Sequence, residues 1–189
     1  MESAHGNRVW TLPNALTFLR LCLAPAVVWL LADHRHGAAV GVFAAAGLTD
    51  ALDGFAARRL GQTSRLGAVL DPVADKALIL SSVVVLGLQG EVPSWLAAAI
   101  VVRDAVIVVG ALAYRAVTGS LEMAPTLLSK ANTAAQVCLV LATLVREAGL
   151  AGLPWLPGLH AAVGVTTVGS GLHYVAVWSG RALAGGPRG

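Results

Sequence analysis

Apolar residues run through this chain in long stretches, and the polar ones gather in short clusters between them. A membrane-spanning helix needs about 20 mostly apolar residues, and six stretches meet that need. The first runs from about Leu12 to Ala32, opening at Pro13-Asn14 and closing at Asp33-His34-Arg35-His36. The second starts near Gly37, stays apolar to Thr49 and turns charged through Arg59. The third begins around Leu66 and ends at Gln89-Gly90-Glu91; Pro93 and Trp95 open the fourth, which reaches about Tyr114. The fifth covers about Ser129 to Val145 and the sixth about Leu156 to Val177. The pattern predicts an all-α integral membrane protein with six transmembrane helices, and the short joining segments make residues 1–189 one domain. The polar segment before Leu12 lacks a cleavage-site pattern and is not expected to be a signal peptide. Its Arg8-Val9-Trp10 stretch is expected to lie flat at the membrane interface.

Composition sharpens this picture. Hydrophobic residues make up 57% of the chain and charged residues 12%, against about 25% charged in an average soluble domain. The mean hydropathy of +0.75 agrees, and soluble, disordered and nucleic-acid-binding classes are excluded together. The pI near 9.3 fits a positive-inside bias instead. Six spans put Arg8, Arg20, Arg58, Arg59, Arg65, Lys76, Arg115, Lys130, Arg181 and Arg188 on one face, leaving only Arg35 and Arg146 opposite. Both termini are therefore expected in the cytoplasm. Trp10, Trp29, Trp95, Trp155 and Trp178 all fall near predicted helix ends, as an aromatic belt would. Cys22 and Cys138 sit in apolar runs with neither metal spacing nor a disulfide framework. Gly37, Gly41 and Ala45, four apart, line one face of the second helix with small residues, for packing within the chain or between subunits.

The segment that carries chemistry is Asp50-Ala-Leu-Asp53-Gly54-Phe-Ala-Ala57-Arg58, followed after eight residues by Gly67-Ala-Val-Leu-Asp71-Pro-Val-Ala-Asp75-Lys76. On helices, Asp50 and Asp53 share one face and Asp71 and Asp75 share another. Two antiparallel helices joined by a tight turn would bring the four carboxylates together, where like charges repel unless a cation compensates. Hard divalent cations such as Mg²⁺ and Mn²⁺ prefer carboxylate oxygens, so the spacing implies a metal site, with two ions in the favoured reading. Solvated helix-end charges, structural ion pairs with Arg58, Arg59 and Arg65, and the ion path of a cation-coupled carrier are the competing readings. A carrier path usually distributes ionisable groups through the bilayer, whereas these gather near one interface. Gly54 and Gly67 leave room beside the acids for a flat ring or a pyrophosphate, and Arg58 offers a planar fork suited to phosphate.

These residues resemble the signature of the CDP-alcohol phosphotransferases, D-x-x-D-G-x-x-A-R, eight residues, then G-x-x-x-D-x-x-x-D. Asp50, Asp53, Gly54, Ala57, Arg58, Gly67, Asp71 and Asp75 fill every fixed position. The resemblance implies that Asp50, Asp53 and Asp71 are metal ligands, with Asp75 joining the second metal and acting as catalytic base. It implies that Gly54, Ala57, Arg58 and Gly67 line the CDP pocket. Asn14, Thr17 and Arg20 resemble the family's first helix, Asn14 and Thr17 then belonging to the CDP site and Arg20 to a phosphate site. The implied cofactors are two divalent cations, Mg²⁺ or Mn²⁺, and a homodimer is implied as well.

The acceptor alcohol is read from elsewhere. The Gly41–Arg58 stretch and Pro125-Thr-Leu-Leu-Ser129-Lys130-Ala-Asn132-Thr-Ala-Ala-Gln136 resemble CMP-forming cardiolipin synthases, whereas phosphatidylglycerophosphate synthases tend to carry a second lysine where Asn132 stands. Glycerol 3-phosphate brings a phosphomonoester that an extra cation would hold, while phosphatidylglycerol presents a singly charged diester. The resemblance thus implies transfer from CDP-diacylglycerol to phosphatidylglycerol, with glycerol 3-phosphate as the alternative acceptor. Ser129, Lys130 and Asn132 are the expected acceptor residues. Arg103 lies with Asp104 in the fourth helix, where charge is usually functional; it is expected either to bind an acceptor or donor phosphate or to pair with a site aspartate. As sequence neighbours, Arg103 and Asp104 do not face each other directly on a helix. The expected location is a bacterial cytoplasmic membrane, with the mitochondrial inner membrane as alternative.

Overall fold

The computed structural model describes residues 12–60, 65–118 and 127–184, with side chains described for 18–49, 73–113 and 127–177. The Arg8-Val9-Trp10 segment lies outside the described residues. Among those described there are six helices: α1 (Leu12–Ala32), α2 (His36–Leu60), α3 (Arg65–Leu88), α4 (Ser94–Thr118), α5 (Leu127–Glu147) and α6 (Leu156–Ala184). Each predicted stretch has its helix. α2 continues as one helix past its apolar part and through the charged stretch to Leu60. Asp50 and Asp53 therefore belong to a helix, as their spacing requires.

Helix ends follow from local hydrogen bonding. At the end of α5, Leu150 N donates to Val145 O and Gly149 N to Arg146 O, with Gly149 at φ +69°. This is the Schellman arrangement, and glycine suits its left-handed position. The same pair of bonds closes α1, from Arg35 N to Leu30 O and from His34 N to Leu31 O. There the left-handed residue is His34, at φ +54°.

The chain divides into two compact units, Met1–Leu86 with Val140–Gly152, and Gly87–Leu139 with Leu153–Gly189. In the first, α1 and α2 pack antiparallel across a three-residue turn. Ala24, Val27, Leu30 and Leu31 are buried on α1, and Ala39, Phe43 and Ala46 on α2. Gly37, Gly41 and Ala45 lie on the other face of α2 and are exposed. A Cβ built on Gly37 or Gly41 would meet nothing within 4 Å. Among the described residues, nothing packs against Gly37 or Gly41.

In the second unit α4 packs on α6. A Cβ on Gly164 would fall 2.7 Å from the Trp95 ring, and one on Gly171 would fall 3.5 Å from Arg103 Cγ. Contacts that advance together along both helices make them parallel. On α5, Ser129 reaches Arg103, which also reaches Ser170, while Asn132 reaches Thr166 and Thr167. Moving up α5 thus moves down α6, and the two are antiparallel.

Polarity is inverted relative to a soluble fold. Arg20, Ser82, Arg103, Asp104, Asn132, Gln136, Thr143, Thr167 and Ser170 are buried, while Val102, Val109, Leu112, Val165 and Leu172 are more than half exposed. Water would penalise such a surface, whereas hydrocarbon would not. Among the described residues, Ser94–Ala113 and Leu127–Glu147 are long and apolar enough to cross a membrane, and Phe18–Ala32 and His36–Thr49 are shorter apolar helical segments. Trp29, Trp95 and Trp155 are exposed near helix ends, as a belt requires, and Arg35 sits over the Trp29 ring at 5.7 Å. Cys22 and Cys138 are free and exposed.

Candidate active site

The four signature aspartates stand on two consecutive helices, Asp50 and Asp53 on α2, Asp71 and Asp75 on α3. Three- and four-residue spacings on a helix place each pair on one face. The side chains of Asp50, Asp53, Gly54, Ala57, Arg58, Gly67 and Asp71, and those of Asn14 and Thr17, lie outside the described residues.

Asp75 is described, and its surroundings are specific. Arg20 Nη1 donates to Asp75 Oδ1 at 2.8 Å. The Arg20 side chain is 1% exposed and that of Asp75 35%. Both belong to the first unit. Arg20 leads the inward register of α1, with buried Ala24, Val27 and Leu31 four, seven and eleven residues on. Asp75 precedes buried Leu78, Ile79 and Ser82 on α3 in the same manner. A guanidinium in an apolar helix needs a partner, since an isolated buried charge is costly. The sequence expectation of a phosphate-binding Arg20 meets a guanidinium turned inward onto the carboxylate expected to be the base.

The second unit holds a buried polar cluster centred on Arg103. Its Nη1 donates to Asp104 Oδ1 at 2.7 Å, its Nε to Ser170 Oγ at 2.8 Å and its Nη2 to Ser129 Oγ at 2.8 Å. The fork therefore ties α4 to α5 and α6. Among the described residues, Arg103 forms a buried pair with Asp104. Sequence neighbours do not face each other on a helix, but the long arginine side chain curls back far enough to meet Asp104.

Asn132, fully buried, accepts from Thr166 Oγ1 at 2.8 Å and from Thr167 Oγ1 at 3.0 Å. It serves here as a tie between α5 and α6. Lys130 is exposed and Ser129 half-buried. One turn beyond Asn132, Gln136 is fully buried, and among the described residues neither of its polar atoms finds a hydrogen-bond partner; the same is true of Asn132 Nδ2.

Sequence reasoning gave Asp104 and Gln136 no role of their own and did not single out Thr166, Thr167 or Ser170. The available signal was their register: Thr166, Thr167 and Ser170 recur three to four residues apart inside an otherwise apolar helix.

Comparison with known proteins agrees with the signature. A family model described as CDP-alcohol phosphatidyltransferase matches residues 10–178. The chain is 39% identical over 151 residues to a CMP-forming cardiolipin synthase of Homo sapiens, covering 71% of this chain and 50% of that protein. It is 34% identical over 192 residues to a probable CMP-forming cardiolipin synthase of Drosophila melanogaster, covering 89% and 58% respectively. A CMP-forming cardiolipin synthase of Streptomyces coelicolor is 39% identical over 109 residues, 54% of this chain and 51% of that one. The chain spans about half the length of the curated relatives it matches.

Proposed function

The chain belongs to the CDP-alcohol phosphatidyltransferase family, and from that premise we propose that it is a CMP-forming cardiolipin synthase, moving a phosphatidyl group from CDP-diacylglycerol to phosphatidylglycerol. The observation that carries the reading is the complete eight-residue signature on α2 and α3, in a chain similar over most of its length to proteins named for that reaction.

The donor set supports a metal site: four carboxylates, two within a turn on each of two helices, are the hard oxygen ligands that Mg²⁺ or Mn²⁺ takes. Asp50, Asp53, Asp71 and Asp75 would hold two such ions, which when bound neutralise the pyrophosphate and the leaving CMP. Gly54, Ala57, Arg58 and Gly67, with Asn14 and Thr17, line the CDP site in this reading. Asp75 takes the proton from the acceptor hydroxyl as that oxygen attacks the lipid-linked phosphorus. The new O–P bond replaces the bond to CMP, which leaves with its electron pair. Asp75 suits the task because its carboxylate is partly exposed, beside buried Ala74, Leu78 and Ile79 on α3.

Ser129 and Lys130 meet the acceptor phosphodiester, the exposed Lys130 as a point charge and Ser129 held in place by Arg103. Asn132 contributes indirectly, by docking α5 on α6. The chain crosses the membrane six times with both termini in the cytoplasm, acts as a homodimer and resides in a bacterial cytoplasmic membrane. The exposed Gly37–Gly41–Ala45 face suits helix contacts outside the chain.

The experiment is turnover in lipid micelles with CDP-diacylglycerol and Mg²⁺ or Mn²⁺, offering phosphatidylglycerol and glycerol 3-phosphate separately. Cardiolipin and CMP from phosphatidylglycerol alone are expected. Turnover with glycerol 3-phosphate alone would keep the family chemistry and reject the acceptor.

A further inference from the structure

The largest fully buried side chain in the described part of the first unit is a cation. Arg20 is 1% exposed, so it offers a substrate almost no surface, yet it donates from Nη1 to an oxygen of Asp75, whose side chain is 35% exposed. One end of the pair is enclosed and the other reaches accessible space. A guanidinium carries only donors and accepts no hydrogen bond, so Arg20 is not built to act as a base. Its contribution passes through the carboxylate it holds.

We propose that Arg20 is a positioning residue for the transfer reaction: it fixes the orientation of the Asp75 carboxylate so that the carboxylate meets the acceptor hydroxyl in line for proton removal. The proposal rests on the reading of Asp75 as the base. Carboxylate torsions are soft, and an aspartate free at χ2 samples a broad range. A charge-assisted bond at 2.8 Å selects one arrangement from that range. Arg20 itself stays in place because Ala24, Val27 and Leu31 pack the same face of α1 below it. In the step concerned, the acceptor O–H proton passes to Asp75, the freed oxygen pair forms the bond to phosphorus, and CMP departs; Arg20 is unchanged throughout. Misplacing a catalytic group by about 1 Å costs about 100-fold in rate, and that is the scale of effect assigned here.

The test compares the full-length wild type with Arg20→Met, Arg20→Lys, Asp75→Asn and the double variant Arg20→Met/Asp75→Asn, each purified as a monodisperse species. Steady-state turnover with CDP-diacylglycerol and phosphatidylglycerol is measured beside CMP binding in the presence of Mn²⁺, a readout independent of turnover. Arg20→Met is expected to lower kcat about 100-fold while KM for the donor and the Kd for CMP stay within about threefold. Arg20→Lys, which keeps the charge but loses the planar fork, is expected to recover about a tenth of wild-type kcat. Adding Arg20→Met to Asp75→Asn is expected to cost nothing further, because the two act as a unit.

An unchanged kcat in Arg20→Met, with only the thermal midpoint lowered, would overturn the proposal in favour of a purely structural ion pair. Loss of CMP or donor affinity with kcat retained would overturn it in favour of substrate binding. If Arg20→Met does not fold, Arg20→Lys decides, since wild-type kcat in that variant would equally overturn the proposal. Full turnover in Asp75→Asn would remove the base itself, and with it both the mechanistic reading and this inference. Loss in Asp75→Asn beside unaltered kcat in the Arg20 variants would remove the inference alone.

Discussion

Arg103 puts a full positive charge into the buried part of α4, and its worth lies in how many helices it joins. Removing one member of a buried ion pair strands the other and typically costs about 3–5 kcal/mol. Arg103→Met is therefore expected to destabilise the protein by about 3 kcal/mol, seen as a large drop in thermal midpoint in detergent, because it leaves buried Asp104 without this partner and unties Ser129 and Ser170. A drop no larger than that of a surface arginine such as Arg35 would contradict that role. Gln136 makes the opposite case. Its amide is buried with no partner among the described residues, a state that costs about 1–3 kcal/mol. Gln136→Met, close in shape and apolar, is expected to raise stability by about 1 kcal/mol, again read from the thermal midpoint. A fall instead would show that the amide is satisfied in the membrane. The spacing placed Asp75 on one helix face with Asp71 but did not show the side on which Arg20 would face. A sidedness argument was available: Arg20 shares a register with Ala24, Val27 and Leu31, and an arginine in line with core positions points inward.

The helices were the most readable feature, because a run of about 20 apolar residues bounded by charge or glycine has few other fates. Their ends were less so. The last turns of α2 mix Leu52, Phe55 and Leu60 with Asp50, Asp53, Arg58 and Arg59, and the helix runs through them to Leu60. Contacts between helices were not legible at all, since apolar periodicity says which face is buried but not against what. Gly87 shows this. Its position near the end of α3 suggests only a cap, yet a Cβ there would lie 2.6 Å from Ala97 Cβ on α4. A β-carbon is fixed to the backbone and has no rotamer to escape into, so the helices themselves would have to move apart. Gly87→Ala is expected to destabilise by about 1–3 kcal/mol in spite of alanine's better helix propensity. Gly37→Ala on the open face of α2 serves as the control and is expected to be neutral or stabilising. Equal midpoints for the two variants would contradict the close approach.

For the whole molecule, the inverted polarity and the alternating directions of α4, α5 and α6 fit a membrane-embedded helical protein, and the family accounts for why acids and arginines persist in so apolar a chain. Family membership was legible because eight residues at fixed spacing leave little room for coincidence. The acceptor was less so, since its reading leaned on Asn132, and the structure gives Asn132 the task of joining α5 to α6. The reading of the acceptor therefore now rests on Ser129, Lys130 and similarity over the length of the chain. Its central claim concerns the origin of the two phosphatidyl groups in the product, and a mass measurement decides that directly. CDP-diacylglycerol with one acyl composition and phosphatidylglycerol with another are supplied together to the purified protein with Mn²⁺. Mixed cardiolipin, one phosphatidyl group from each source, is expected, with one CMP released per molecule formed. Cardiolipin built only from phosphatidylglycerol chains with glycerol released, or CMP released without any cardiolipin, would contradict it.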